Sequence, residues 1–101
     1  MNNQNKRTDP NSELYRAILT LRTPEELHKF FVDLCTQSEL SAIEQRYEVA
    51  KMRYEGMIYN DILSQTNVSS ATVSRVNRSL LNGEGMYEIV FNRLKEQDGG
   101  V

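Results

Sequence analysis

The chain of 101 residues supports one domain at most, because domains run to about 150 residues. Its 39% hydrophobic content and formal net charge of -2, from 12 Lys+Arg against 14 Asp+Glu, argue against intrinsic disorder, which couples low hydrophobicity to strong charge imbalance. A single cysteine, Cys35, and a single histidine, His28, exclude an intramolecular disulfide framework and leave no residue set for a metal cluster.

The opening residues 1–11 are polar, with no apolar stretch behind Lys6 and Arg7 to make a signal peptide. The longest apolar runs span three residues, as at Phe30–Val32 and Ile89–Phe91, against about 20 for a membrane span. These features imply a soluble cytoplasmic protein with no membrane partner. Residues 1–11 read as a flexible N-terminal arm, 12–96 as a single helical domain and 97–101 as a flexible tail. Lys6 and Arg7 suit equally an arm following a DNA backbone and a plain disordered basic tail.

Gly and Pro punctuate the chain sparsely, with none between Glu25 and Glu55 or between Met57 and Asn82. Strand-rich folds need turns more often, so the pattern is all-α. A first helix runs near Ser12 to Leu21, with Leu14, Ile18 and Leu21 on one face. The second starts sharply, with Thr23 as N-cap, Pro24 at the first helical position and Glu26 completing a capping box. Leu27, Phe30, Phe31 and Leu34 then fall at i, i+3, i+4 and i+7, and the helix ends near Cys35.

Ser38 caps a third helix reaching Glu55, along which Leu40, Ile43, Tyr47, Ala50 and Tyr54 step by three and four. Gly56 stands where a left-handed C-terminal residue belongs. A short fourth helix covers Asn60 to Gln65, with Ile62 and Leu63 inward. Ser69 or Ser70 caps a fifth, which runs to about Leu81. Asn82-Gly83-Glu84-Gly85 breaks it, and Met86 to Lys95 forms a last amphipathic helix.

Two short helices joined by a tight turn, the second opening with small polar residues, match a helix-turn-helix over residues 59–82. In that motif the second helix buries one face and offers the other to a DNA groove. Val73, Val76 and Leu80 share the buried side, while Ala71, Arg75 and Arg78, with Ser74 beside them, lie opposite. Ser69, Ser70 and Thr72 add short hydroxyls at an end whose free amides and dipole favour phosphate. Arg reads guanine bidentately, and Ser or Thr contacts phosphates or bases. The candidate DNA-binding residues are therefore Ser69, Ser70, Ala71, Thr72, Ser74, Arg75 and Arg78. Arg75 and Arg78 are the only charged residues from Ser69 to Asn82, so a nucleic-acid partner finds a local +2 in a chain of net -2. Two arginines on a solvated helix face also occur in ordinary helical bundles, and the pattern by itself leaves that reading open.

Thr36-Gln37-Ser38-Glu39, Ala42-Ile43-Glu44-Gln45-Arg46, the helix ending at Gly56, and Ala71-Thr72-Val73-Ser74-Arg75 with Ser79-Leu80 form a linked series. Over Thr36 to Leu81 this resembles the trp repressor superfamily, in particular its trp-repressor-related branch of the YerC/YecD type. The resemblance implies a six-helix protomer intertwined with a second copy as a homodimer. The implied function is a transcriptional regulator, a repressor that occludes a promoter by binding palindromic double-stranded DNA. A two-fold dimer would set two recognition helices about 34–36 Å apart. The apolar stripes of Phe30, Phe31, Tyr47, Tyr54, Tyr87 and Phe91 are generous for a small monomer and agree with a partner copy.

The resemblance also implies an effector site. In the trp repressor an indole lies between two arginines, while a threonine and a serine hold the amino-acid end. Carried onto this sequence, the arginines are Arg46 and Arg75 and the hydroxyls Thr36 and Ser79, with Thr72 nearby. That chemistry suits a zwitterionic aromatic, a tryptophan-like corepressor. Against it, the residue after the second arginine is glycine in the trp repressor and Val76 here, where a branched side chain takes room the ring needs. Arg46 has a plainer alternative in pairing with Glu39, Glu44 or Glu48.

His28 reads as a surface or interface residue, Cys35 as buried and inert, and Met52, Met57 and Met86 as filling the core or a dimer interface. No phosphate loop, nucleophile elbow or catalytic carboxylate pair occurs, so the chain does not read as an enzyme. The competing function is a helical dimerisation or adaptor module that contacts another protein through Ala71, Leu81 and their neighbours.

Overall fold

A computed structural model describes residues 8–99, and Lys6 and Arg7 of the expected arm, like the last two residues of the expected tail, lie outside them. Among the described residues there are six α-helices and no strand: α1 (Glu13–Ile18), α2 (Pro24–Leu34), α3 (Gln37–Tyr54), α4 (Tyr59–Gln65), α5 (Ser70–Asn82) and α6 (Met86–Gln97). No helix among them is long and apolar enough to cross a membrane.

Short polar side chains decide where the helices begin. Ser12 Oγ accepts the Leu14 amide ahead of α1, and Thr23 Oγ1 accepts the Glu26 amide at 3.1 Å ahead of α2. Glu26 reaches back one residue further than a standard capping box, its Oε1 accepting the Arg22 amide at 2.8 Å. The cap of α3 falls two residues earlier than Ser38. Thr36 Oγ1 accepts the Glu39 amide at 3.1 Å, and Glu39 Oε1 accepts the Thr36 amide at 2.8 Å. The reason is local, since three residues beyond Thr36 stands a glutamate that can return the bond, whereas three beyond Ser38 stands Ser41.

Helix ends are set with similar economy. The first helix stops at Ile18 rather than Leu21, because Thr20 donates its hydroxyl to the Ala17 carbonyl at 2.7 Å and i→i+3 bonds tighten the last turn. At the end of α3, Gly56 takes φ +96°, its amide donates to Arg53 O and the Met57 amide donates to Met52 O. Those two bonds are a Schellman motif, which an L side chain at residue 56 would strain.

The chain divides into two compact units, one through Leu40 and one from Ser41. In the first, neither α1 nor α2 contains a buried residue. The apolar face of α2 is only half-covered at Leu27, Phe30 and Phe31, and Leu34 is exposed. Cys35, read from sequence as buried, is half-buried, because it caps the C-terminal end of α2 instead of sitting on its inner face.

The second unit holds the hydrophobic core: Val49, Ala50, Ile62, Val73, Val76 and Phe91. Met52, Met57, Leu63, Val68, Leu80 and Tyr87 pack around it. Phe91 is ringed by aromatics, with Tyr54 at 4.9 Å, Tyr47 at 5.7 Å and Tyr87 at 6.0 Å between centroids. Such offset and edge pairs add about 0.5–1.5 kcal/mol each beyond the area they cover. Of the stripe read along α3, Ala50 is buried, while Ile43, Tyr47 and Tyr54 keep more than a third of their surface exposed.

Candidate nucleic-acid interface

Helices α4 and α5 pack on each other around Ile62, Val73 and Val76, and residues 66–69 make the turn between them. Thr66 closes α4 by donating its hydroxyl to Ile62 O at 2.8 Å and then accepts the Val68 amide at 3.4 Å. The chain is thereby folded back within one turn, and Ser69 is delivered to the N-cap of α5 with extended backbone.

The two sides of α5 differ as the residue pattern requires. Val73 and Val76 are 0% and 1% exposed and Leu80 is half-buried against the core, whereas Ser70, Ala71, Arg75 and Arg78 are exposed. Thr72 and Ser74 are half-buried at the margin between these faces. Ser69 Oγ accepts the Thr72 amide at 3.1 Å and lies 3.0 Å from Thr72 Oγ1. The Val73 amide donates to Ser69 O. The amides of Ser70 and Ala71 precede that first intrahelical bond and point out of the helix end. What the helix presents is a run of small residues, two outward amides and, one and two turns further on, two guanidinium groups.

Two residues outside the sequence reading belong to this frame. Tyr59, the first residue of α4, brings its phenol oxygen to 3.5 Å from Ser70 O while remaining 40% exposed. Arg53, in the last turn of α3, donates from Nη1 to Met57 O at 3.0 Å and from Nε to Asn77 Oδ1 at 3.4 Å. Hydrophobic periodicity carries no signal for either, because both act through a polar tip.

Of the residues expected to hold an effector, Arg75 and Ser79 are brought together. Arg75 and Ser79 share an open polar depression of about 340 Å³ with Arg78, Asn82 and Gly83. Ser79 also borders a second groove of about 580 Å³, lined by Tyr47, Tyr54, Leu80, Met86, Tyr87 and Val90 among others. Arg46, half-buried on α3, borders neither. Thr36 Oγ1 serves the cap of α3, Thr72 Oγ1 pairs with Ser69, and Val76 fills a core position. Among the described residues, no group of three or more His, Cys, Asp or Glu is assembled to hold a metal ion.

The sequence profile of the family described as Trp repressor protein matches residues 11–95. The uncharacterized protein YerC of Bacillus subtilis (strain 168) is 44% identical over 86 residues, which cover 85% of this chain and 83% of that protein. A TrpR like protein from Eubacterium eligens ATCC 27750 has a crystal structure that superposes with a TM-score of 0.77 at 49% identity, over 81% of this chain and 84% of that one. A crystal structure from Staphylococcus aureus, described as a candidate Trp repressor, superposes with a TM-score of 0.82 at 41% identity, over 94% and 95% of the two chains.

Proposed function

The chain belongs to the Trp repressor protein family, and from that premise we propose that it is a sequence-specific DNA-binding transcriptional regulator. It acts as a repressor, a homodimer that covers palindromic operator DNA. One observation carries the reading. The second helix of the helix-turn-helix buries Val73 and Val76 and turns Ser70, Ala71, Arg75 and Arg78 outward, on a segment without a single acidic side chain.

Small residues at the entry of α5 let its backbone come close to a groove floor. The outward amides of Ser70 and Ala71 suit a phosphate oxygen, and Arg75 and Arg78 supply bidentate donors for guanine or phosphate. Dimerisation is supported by what the single chain leaves uncovered. The second helix carries an i, i+3, i+4, i+7 apolar stripe without one buried residue, and Met86, Ile89, Val90 and Leu94 are exposed along α6. Exposed apolar residues on each of these helices agree with an interaction surface. An isologous two-fold pairing would present α5 twice, matching a palindrome.

Gel-shift and footprinting selection from genomic DNA tests the reading. A preferred inverted repeat with half-sites about one helical turn apart is expected. Binding to a protein partner with weak salt dependence, and no preferred duplex at moderate salt, would favour the adaptor module instead.

A further inference from the structure

We infer that Arg53 is a positioning residue for DNA recognition: through Asn77 it fixes the rotation of α5 about its own axis and so aims Arg75 and Arg78. The inference rests on the DNA-binding reading above. Arg53 occupies the second-last position of α3, immediately before the Schellman turn, and is half-buried. Its guanidinium spans two elements, donating to the Met57 carbonyl in the α3–α4 connection and to the Asn77 amide oxygen in the middle of α5. A planar fork of this kind fixes direction as well as distance.

Val73, Val76 and Leu80 seat α5 by side-chain packing, and the Arg53 contact adds a directional constraint to that seat. At the radius of a helix with its side chains, about 5–6 Å, a 20° rotation displaces an outer atom by about 2 Å. A displacement of that size exceeds the whole distance range of an N–H···O bond, so bidentate reading of a base edge would be lost. Asn77 lies on the flank of α5 between the buried valines and the exposed arginines, next in sequence to Arg78. The Arg53 contact there, at 3.4 Å, supports the side of the helix whose front carries the arginines. Phosphate contacts survive such a rotation better, because long arginines reach a phosphate from several angles, so the expected cost falls on specificity.

The full-length chain is assayed on its selected palindrome and on an unrelated duplex of equal length, with thermal unfolding of each variant. Arg53→Met and Asn77→Ala are each expected to weaken the specific complex about tenfold and the non-specific one less than twofold. The double variant is expected to be no worse than either single one, and Asn77→Asp, which keeps an acceptor for the guanidinium, to preserve the specific-to-non-specific ratio. Should Arg53→Met fail to fold, the contrast between Asn77→Ala and Asn77→Asp decides alone. Parallel loss on both duplexes, additive losses in the double variant, or wild-type ratios throughout would overturn the inference while leaving the DNA reading intact. A wild-type chain that prefers no duplex overturns the DNA reading and this inference with it.

Discussion

Ser69 Oγ lies 3.0 Å from Thr72 Oγ1 and accepts the Thr72 amide at 3.1 Å, so two hydroxyls counted as contacts for DNA are also the lock on the helix that would make those contacts. Stability and recognition can be separated at this pair. Ser69→Ala removes the cap and is expected to cost about 1 kcal/mol, which for a domain of this size lowers Tm by about 4–8 °C. Ser69→Asp keeps an acceptor for the Thr72 amide and favours the helix dipole, so Tm should stay within a few degrees of wild type. The added carboxylate faces a phosphate backbone, however, and DNA affinity should fall. Differential scanning calorimetry beside gel shift reads both outcomes.

Arg75 and Arg78 are exposed, so replacing both with alanine should change stability by no more than about 0.5 kcal/mol. The same double variant should abolish specific DNA binding. Single variants divide the work between them. Where an arginine contacts phosphate, its removal makes the log–log salt slope shallower by about 0.9 and weakens all sequences alike. Where it reads guanine, Arg→Lys relaxes one base position by about 1–3 kcal/mol and leaves the slope almost unchanged. Titrations at several salt concentrations on a set of half-site variants assign each residue.

The parts of this molecule governed by period and capping were legible from residue order. Thr23-Pro24 opens α2, Gly56 ends α3, Ser69 is the one of the two candidate serines that caps α5, and the split of α5 into a buried valine face and an arginine face follows from a 3.6-residue repeat. Errors cluster where two caps compete, as Thr36 and Ser38 do at the start of α3, and where a β-branched hydroxyl folds back on its own helix, as Thr20 does. Val49 escaped the α3 stripe because it lies off the face shared by Ile43, Tyr47, Ala50 and Tyr54, so that helix sends apolar residues to more than one side. Arg53 and Asn77 were invisible for a different reason. A polar bond between residues 24 positions apart leaves no trace in local periodicity.

Val76 bears on the effector. It is 1% exposed and packed with Val73 and Ile62, which makes the position part of the α5 seat. Titration calorimetry with L-tryptophan is expected to give no saturable heat, and no thermal shift should accompany it. Val76→Gly would open the slot at the cost of a core cavity and of glycine in a helix interior, together about 2–4 kcal/mol. A saturable heat in the wild-type protein that vanishes in both Arg46→Ala and Arg75→Ala would instead establish those arginines as the sides of a ligand site.

Phe30 and Phe31 provide the sharpest measure of the second copy. Their rings meet edge to face at 6.0 Å on α2, and each is half-buried in the isolated chain. Complete burial of a phenylalanine makes its truncation to alanine cost about 3–5 kcal/mol, and half-burial reduces that roughly in proportion. If a partner copy covers this face, Phe31→Ala should carry the full cost, and Tm should rise with protein concentration because association stabilises only the folded state. Light scattering should give a mass of twice 11.7 kDa for the wild type, falling toward the single value in Phe30→Ala/Phe31→Ala at micromolar concentration. DNA binding should fall in step with the mass, since a lone α5 reads one half-site and loses the reinforcement of the other.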